Sequence, residues 1–188
     1  MSPTIYTIGH SDRSSDTFID LLVEHGIVQL VDIRTLTMSR ANPQFNAATL
    51  AAALEGRGIA YRHIAALGGL RKRAKEIPPS LNGLWKNRSF HNYADYTLSD
   101  AYHQGLAELC AMADHAPTAI MCAEAVWWRC HRRIVSDSLL ALGRSVFHIM
   151  ANGRLIAAEL TPGAVVRSDL SVVYPAVAVS DPITEQNA

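Results

Sequence analysis

Apolar residues in this chain alternate between short continuous runs and stretches where they return every three or four positions. The run Thr4-Ile5-Tyr6-Thr7-Ile8 stops at Gly9 and reads as a first strand. Ser14 or Ser15 can then cap a helix whose buried face holds Phe18, Leu21 and Leu22, and Gly26 is placed to end it in a left-handed conformation. A second buried strand follows over 27–33. The stretch 35–45 carries Ser39, Arg40, Asn42 and Pro43 and reads as a loop. Asn46 looks like the cap of a second helix, with Phe45 and Leu50 at staple spacing and Leu50 and Leu54 on its buried side. A third strand is expected over 59–64.

Strand, helix, strand, helix, strand is the pattern of a parallel sheet with crossover helices. From 67 to 96 the periodicity is lost among Gly68-Gly69, Arg71-Lys72-Arg73, Pro78-Pro79 and Asn82-Gly83, and an irregular segment of functional interest is expected there. A long helix over about 98–113 should bury Tyr102, Leu106, Leu109 and Ala113. A fourth strand is expected over 118–122, then a helix from near Cys130 with Ile134, Val135, Leu139 and Leu142 inside and Gly143 as its stop. A fifth strand over 145–149 leads to Asn152-Gly153, a hairpin signal. The fold class is therefore α/β: one three-layer domain over 1–179, with a mainly parallel sheet flanked by helices. The polar stretch 180–188 is expected to be a flexible tail.

Composition narrows the function. Lys plus Arg and Asp plus Glu each number 17, so no global field favours a nucleic acid or an anionic membrane. No run approaches the length of a membrane span, and Met1-Ser2-Pro3-Thr4 has no secretory character. A cytoplasmic protein is expected. Its three cysteines, Cys110, Cys122 and Cys130, would then be free thiols.

The sharpest chemistry lies in Cys122-Ala123-Glu124-Ala125-Val126-Trp127-Trp128-Arg129-Cys130-His131-Arg132-Arg133, between an expected strand and an expected helix. Ligands of parallel sheets bind beyond the carboxyl ends of the strands, and a helix N-terminus there favours anions and thiolates. Cys122 at the strand end is expected to have a lowered pKa and to be the nucleophile. Against this stands the ordinary role of such a cysteine as a small buried hydrophobe. Phosphatase thiol loops carry Arg six positions after the Cys; here that position is Trp128, and the match fails.

Three further clusters fall at expected strand ends: Gly9-His10-Ser11, Asp32-Ile33-Arg34 with Ser39-Arg40 beyond, and Tyr61-Arg62-His63 followed by Leu67-Gly68-Gly69. Asp32 and Arg34 could equally form a structural ion pair. No Cys-x-x-Cys and no His-Glu-x-x-His is present, so no metal is assigned, and no motif specifies a cofactor. The basic run Arg71-Lys72-Arg73-Ala74-Lys75 has Trp85, Phe90, Tyr93 and Tyr96 near it in sequence, a mixture that binds single-stranded nucleic acid when the aromatics face solvent. Aromatics that pack inward are the favoured reading here.

In this order, Thr7-Ile8-Gly9-His10-Ser11, Asp32-Ile33-Arg34 with Ser39-Arg40, Leu67-Gly68-Gly69, Phe90 with Tyr93-Ala94, and Cys122-Ala123-Glu124 with Cys130-His131-Arg132 resemble the domain-of-unknown-function 488 family. The resemblance implies a compact bacterial or archaeal α/β domain whose signature positions are these residues, and it implies no particular reaction. Relatives often carry a His just before a Leu-Thr-Pro; here Ala158-Glu159 precede Leu160-Thr161-Pro162.

The sequence thus points to an enzyme, or a former enzyme, that binds a small anionic or nucleotide-like ligand at the strand ends. In that reading Cys122, Glu124, His131 and His10 are catalytic, and Ser11, Asp32, Arg34, Ser39, Arg40 and Arg132 bind the ligand. Two alternatives stand beside it: a non-catalytic nucleotide or nucleic-acid module, and a structural or partner-binding domain.

Overall fold

In the computed structural model, which describes residues 3–176, the expected strand and helix alternation builds a mainly parallel sheet. The tail expected over 180–188 lies outside the described residues. Strands β1 (Thr4–Gly9), β2 (Gln29–Asp32), β3 (Ala60–His63), β4 (Thr118–Cys122), β5 (Ser145–Ile149) and β6 (Leu155–Ala157) lie in the order β3-β2-β4-β1-β5-β6. Only β6 runs antiparallel, through the hairpin at Asn152-Gly153. A small hairpin of β7 (Val165–Val166) and β8 (Val172–Val173) forms a separate sheet that the sequence did not signal.

Helices cover both faces. Helices α1 (Ser15–Glu24) and α2 (Ala47–Glu55) bury Phe18, Leu22, Leu50 and Leu54 against Leu30, Ala119 and Met121. On the other face α3 (Arg88–Tyr96), α4 (Asp100–His115) and α5 (Arg132–Ala141) set Tyr93, Leu109, Ile134 and Leu139 against Val31, Ile120 and Cys122. The alternation along β4 is the period of two that a doubly covered strand requires. All five of its residues are buried, as befits the centre of the sheet.

Most element ends follow from local chemistry. The Ser14 hydroxyl caps α1 by accepting from the Thr17 N–H, and Ser99 does the same for α4 from Tyr102. Gly26 and Gly143 follow α1 and α5 at φ +64° and +75°. Three expectations need correction. The irregular stretch ends at α3, whose cap is Asn87. Helix α5 starts at Arg132, two residues beyond Cys130, and Leu142 lies exposed beyond its end. Asn46 stands at the α2 cap, but its side chain accepts from the Ser39 N–H at 2.6 Å and ties down the preceding loop.

Chain direction locates the site. From β1 the chain passes over β4 to β2, and from β4 it passes over β1 to β5. The two connections leave on opposite faces, so β1 and β4 flank a point where the winding reverses, and a crevice opens at their carboxyl ends.

Candidate functional site

Backbone pairing continues past the strand ends and holds three loops side by side. His10 and Ser11 donate N–H groups to the carbonyls of Cys122 and Ala123 at 3.0 and 2.9 Å, and Ile33 donates to Met121 at 3.0 Å. Ser11 takes φ +54°, an uncommon conformation for a non-glycine residue, as the chain turns away from the sheet. A cavity of about 350 Å³ lies above this edge. Its wall includes Cys122, Glu124, Arg129, Cys130 and His131 on one side and Leu36, Leu70, Phe90 and Tyr93 on the other.

Two polar clusters meet at the edge. In the first, the Asp32 carboxylate is fully buried and accepts from the Arg34 N–H, from Arg34 Nε and Nη2, and from the Tyr61 hydroxyl at 2.7 Å. The Arg34 guanidinium also donates to the Phe45 carbonyl and to His10 Nε2. Since Nε2 accepts, the neutral His10 ring carries its proton on Nδ1, which donates to the Ser11 carbonyl at 2.6 Å. Burial and the Arg34 charge lower the pKa of His10, and its ring stacks on Phe45. Burial and the Asp32 hydrogen bond push the Tyr61 hydroxyl well above the usual phenol range.

The second cluster is built on sulfur. Cys122 at the end of β4 and Cys130 just before α5 bring their Sγ atoms to 2.7 Å. The Arg132 N–H, first of α5, points at Cys130 Sγ at 3.4 Å, and His131 Nδ1 lies at 3.4 Å on another side. The opposite ring nitrogen of His131 donates to the Ile33 carbonyl at 2.9 Å. A proton on Nδ1 would therefore sit between the ring and the sulfur. Where α1, α3 and α4 have Ser or Asn side-chain caps, α5 has no side-chain cap, and its open N-terminus faces a sulfur.

The Arg132 side chain is 1% exposed. Its Nη2 donates to the Glu124 carbonyl at 2.7 Å and Nη1 reaches Thr7 Oγ1 at 3.4 Å, while Nε has no partner among the described residues. Among the described residues no carboxylate forms a salt bridge with it. A guanidinium does not shed its proton, and a buried charge needs an opposite one. Desolvation works against that charge, and the cysteine pair beside it more than offsets the effect. Desolvation opposes ionisation of both thiols, but the Cys122 S–H, His131 and Arg132 hold Cys130 well below the usual thiol range. Burial and the Cys130 thiolate push Cys122 well above that range. The lowered pKa expected of Cys122 is thus corrected: it falls on Cys130, while that of Cys122 is raised.

Two glycines make this packing possible. A Cβ on Gly9 would lie 1.8 Å from the Glu124 carbonyl oxygen and 2.8 Å from Arg132 Nη2. One on Gly69 would lie 2.5 Å from His131 Nδ1.

Of the residues singled out in the sequence, Cys122, Glu124, His131 and Arg34 line the cavity, with Cys130. His10, Ser11, Asp32 and Arg132 stand behind or beside that wall, and Ser39 and Arg40 are outside it. Ser39 serves its own loop, its hydroxyl accepting from the Asn42 N–H. Arg34 and Arg132 have most of their donors occupied by protein groups, which leaves Arg129, exposed at the cavity wall, as the better placed cation. The aromatics near the basic run pack inward: Trp85 lies 4.9 Å from Phe90 and 5.1 Å from Tyr174, and Arg71 stacks on Tyr96 at 3.7 Å. Leu160-Thr161-Pro162 does not line the cavity; the Thr161 hydroxyl accepts from Arg133 and its N–H donates to Asp137.

Sequence reasoning missed Ser89 at the cavity, along with the helix that carries it. The signal was present in Asn87 followed by Phe90, Tyr93 and Ala94 at helical spacing. It also missed His148, whose ring accepts or shares a proton with Thr7 Oγ1 at 2.8 Å and stacks on Trp127 at 4.3 Å. Burial and the nearby Arg132 charge lower its pKa to about 4. Nothing in a fifth-strand histidine announces that role.

The family model described as domain of unknown function DUF488 matches residues 14–139, more than half of the chain. The chain belongs to the DUF488 family. The matched DUF488 segment begins just after His10 and Ser11 and includes the cysteine loop and most of α5. No curated protein and no solved structure matches the chain. Among the described residues no helix is long and apolar enough to cross a membrane, and no three His, Cys, Asp or Glu side chains gather as a metal site.

Proposed function

We propose that this DUF488 protein is an enzyme that holds a small ligand in the cavity at the sheet's carboxyl edge and attacks it with the Cys130 thiolate. The observation that carries this reading is the buried Arg132, which has no carboxylate partner among the described residues and stands beside the cysteine pair. A positive charge held in low dielectric favours the thiolate over the thiol, and the thiolate is the nucleophile. Cys122 stabilises it through its S–H. His131 and Glu124, both on the cavity wall, are the groups placed to move protons. His10 is a positioning residue, because it reaches the cavity only through Arg34.

The wall also describes the ligand. Leu36, Leu70, Phe90 and Tyr93 offer apolar surface, and Arg129 offers one exposed cation. A molecule with an apolar body and an anionic end suits this wall better than a polyanion.

The reading is tested by exposing the full-length protein to a panel of small chloroacetamides and activated esters and locating adducts by peptide mass spectrometry. Adducts are expected on Cys130, lost in Cys130→Ser and retained in Cys122→Ser. Carboxylate-bearing members of the panel should react more slowly with Arg129→Ala. Adducts that survive Cys130→Ser, or that collect on Cys110, would overturn the assignment.

A further inference from the structure

A nucleophilic cysteine does not need a second thiol against it, yet this site has one. Cys122 Sγ stands 2.7 Å from Cys130 Sγ, both residues line the same cavity, and the loop between them spans one edge of the sheet. The third cysteine, Cys110 on α4, lines a different hollow with Tyr102 and Leu106. Two sulfurs so close need only small side-chain movement to become bonded. The neighbouring groups also suit such a change. Arg132 and the start of α5 stabilise a thiolate before the reaction, and His131 Nδ1 faces Cys130 Sγ, where a proton can be taken up or given back.

We infer, resting on the nucleophile assignment above, that Cys122 and Cys130 act as a dithiol that reduces a small organic disulfide bound in the cavity. The Cys130 thiolate attacks one sulfur of R–S–S–R. A bond forms between Cys130 and that sulfur, the substrate S–S bond breaks, and the other half leaves as R–S⁻. Cys122 then gives up its proton and attacks Cys130 Sγ, forming the Cys122–Cys130 bond and expelling the second half. One thiolate, one thiol and R–S–S–R become the protein disulfide, one R–SH and one R–S⁻. The substrate gains two electrons and the cysteine pair loses them. An external thiol reductant restores the dithiol by the same exchange run in reverse.

Cavity size selects among the oxidants such a pair could meet. Hydrogen peroxide is not much larger than a water molecule, whose share of liquid volume is about 30 Å³. It would leave most of a 350 Å³ cavity empty. A disulfide with two apolar arms would use the Leu36, Leu70 and Phe90 surface.

The probe is 4,4′-dithiodipyridine, added to the fully reduced full-length protein, with pyridinethione release followed by absorbance and the products mapped by peptide mass spectrometry. Wild type is expected to release both halves of the reagent in a fast phase and to end with Cys122 linked to Cys130 and no retained adduct. Cys122→Ser should release one half and keep the other on Cys130, and Cys130→Ser should lose the fast phase. Cys122→Ala serves as a second variant should the serine disturb folding, and the wild-type product map stands without either. A stable adduct on wild-type Cys130 with no Cys122 linkage would overturn the dithiol inference and leave the nucleophile assignment intact. Absence of a fast phase at Cys130 would overturn both.

Discussion

Two polar clusters lie side by side at the same sheet edge, and they differ in how completely their groups are matched. Around Asp32 and Arg34 the carboxylate meets the guanidinium, the Tyr61 hydroxyl and a backbone N–H, while the remaining guanidinium donors reach Phe45 and His10. Around Cys130 and Arg132 the buried cation has no carboxylate and its Nε no partner among the described residues, and the sulfurs open on the cavity. A closed network of the first kind rigidifies its surroundings and offers little to a ligand. An incompletely matched one of the second kind is where a fold holds chemistry in reserve. The ion pair that reads as an arginine ligand site in the sequence is built as a brace, and the cysteine loop beside it is the site we propose.

The contrast can be broken from either side. The largest effect is expected from Asp32→Asn, which leaves buried Arg34 without its anion. Such a loss costs about 3–5 kcal/mol, to be read by chemical denaturation, with no change in Cys130 labelling at temperatures where the variant stays folded. Next comes Gly9→Ala, because its Cβ would strike the Glu124 carbonyl that holds Arg132. Overpacking against backbone should cost about 3 kcal/mol and also slow Cys130 labelling, which links the two readouts through Arg132.

A pH effect follows from His148. Its folded pKa is lowered to about 4 from 6.5, so the unfolded chain binds the extra proton first as pH falls. The stability this group contributes is full above pH 6.5 and is lost as pH falls toward 4, by on the order of 3 kcal/mol at most. His10, also lowered by burial, acts in the same direction. Replacing His148 with Phe should flatten the acid limb of a plot of melting temperature against pH, and an unchanged limb would show that other groups dominate it. The smallest effect is on reactivity. Cys122→Ser replaces the S–H donor to the thiolate, and each unit by which the Cys130 pKa then changes alters its thiolate fraction up to about tenfold near neutral pH. The rate of iodoacetamide labelling at fixed pH reads that change directly.

The sheet was legible in the chain because strands 118–122 and 145–149 are short segments rich in apolar residues, each set between turn or loop residues. Helix α3 was hidden by the glycines, prolines and basic residues before it, although Phe90, Tyr93 and Ala94 carried its spacing. Strands β7 and β8 are two residues each, too short for any periodicity. At the site, local sequence brought Cys122, Cys130 and His131 to one strand end. It could not say which sulfur is ionised, because that depends on where the Arg132 side chain folds back and on the sulfur that meets the first N–H of α5. Ser39 and Arg40 looked equally eligible in the sequence, and only the tie from Ser39 to Asn46 shows that their loop turns elsewhere.

The central claim, that Cys130 is a thiolate held by Arg132 beside a protonated Cys122, is tested most directly by the pH dependence of iodoacetamide labelling at each cysteine, resolved by peptide mass spectrometry. Cys130 is predicted to label with a midpoint well below the free-thiol value of about 8.5, while Cys122 and Cys110 stay slow across the same range. Labelling of Cys122 ahead of Cys130, or a Cys130 midpoint at or above the free-thiol value in the folded protein, would contradict it.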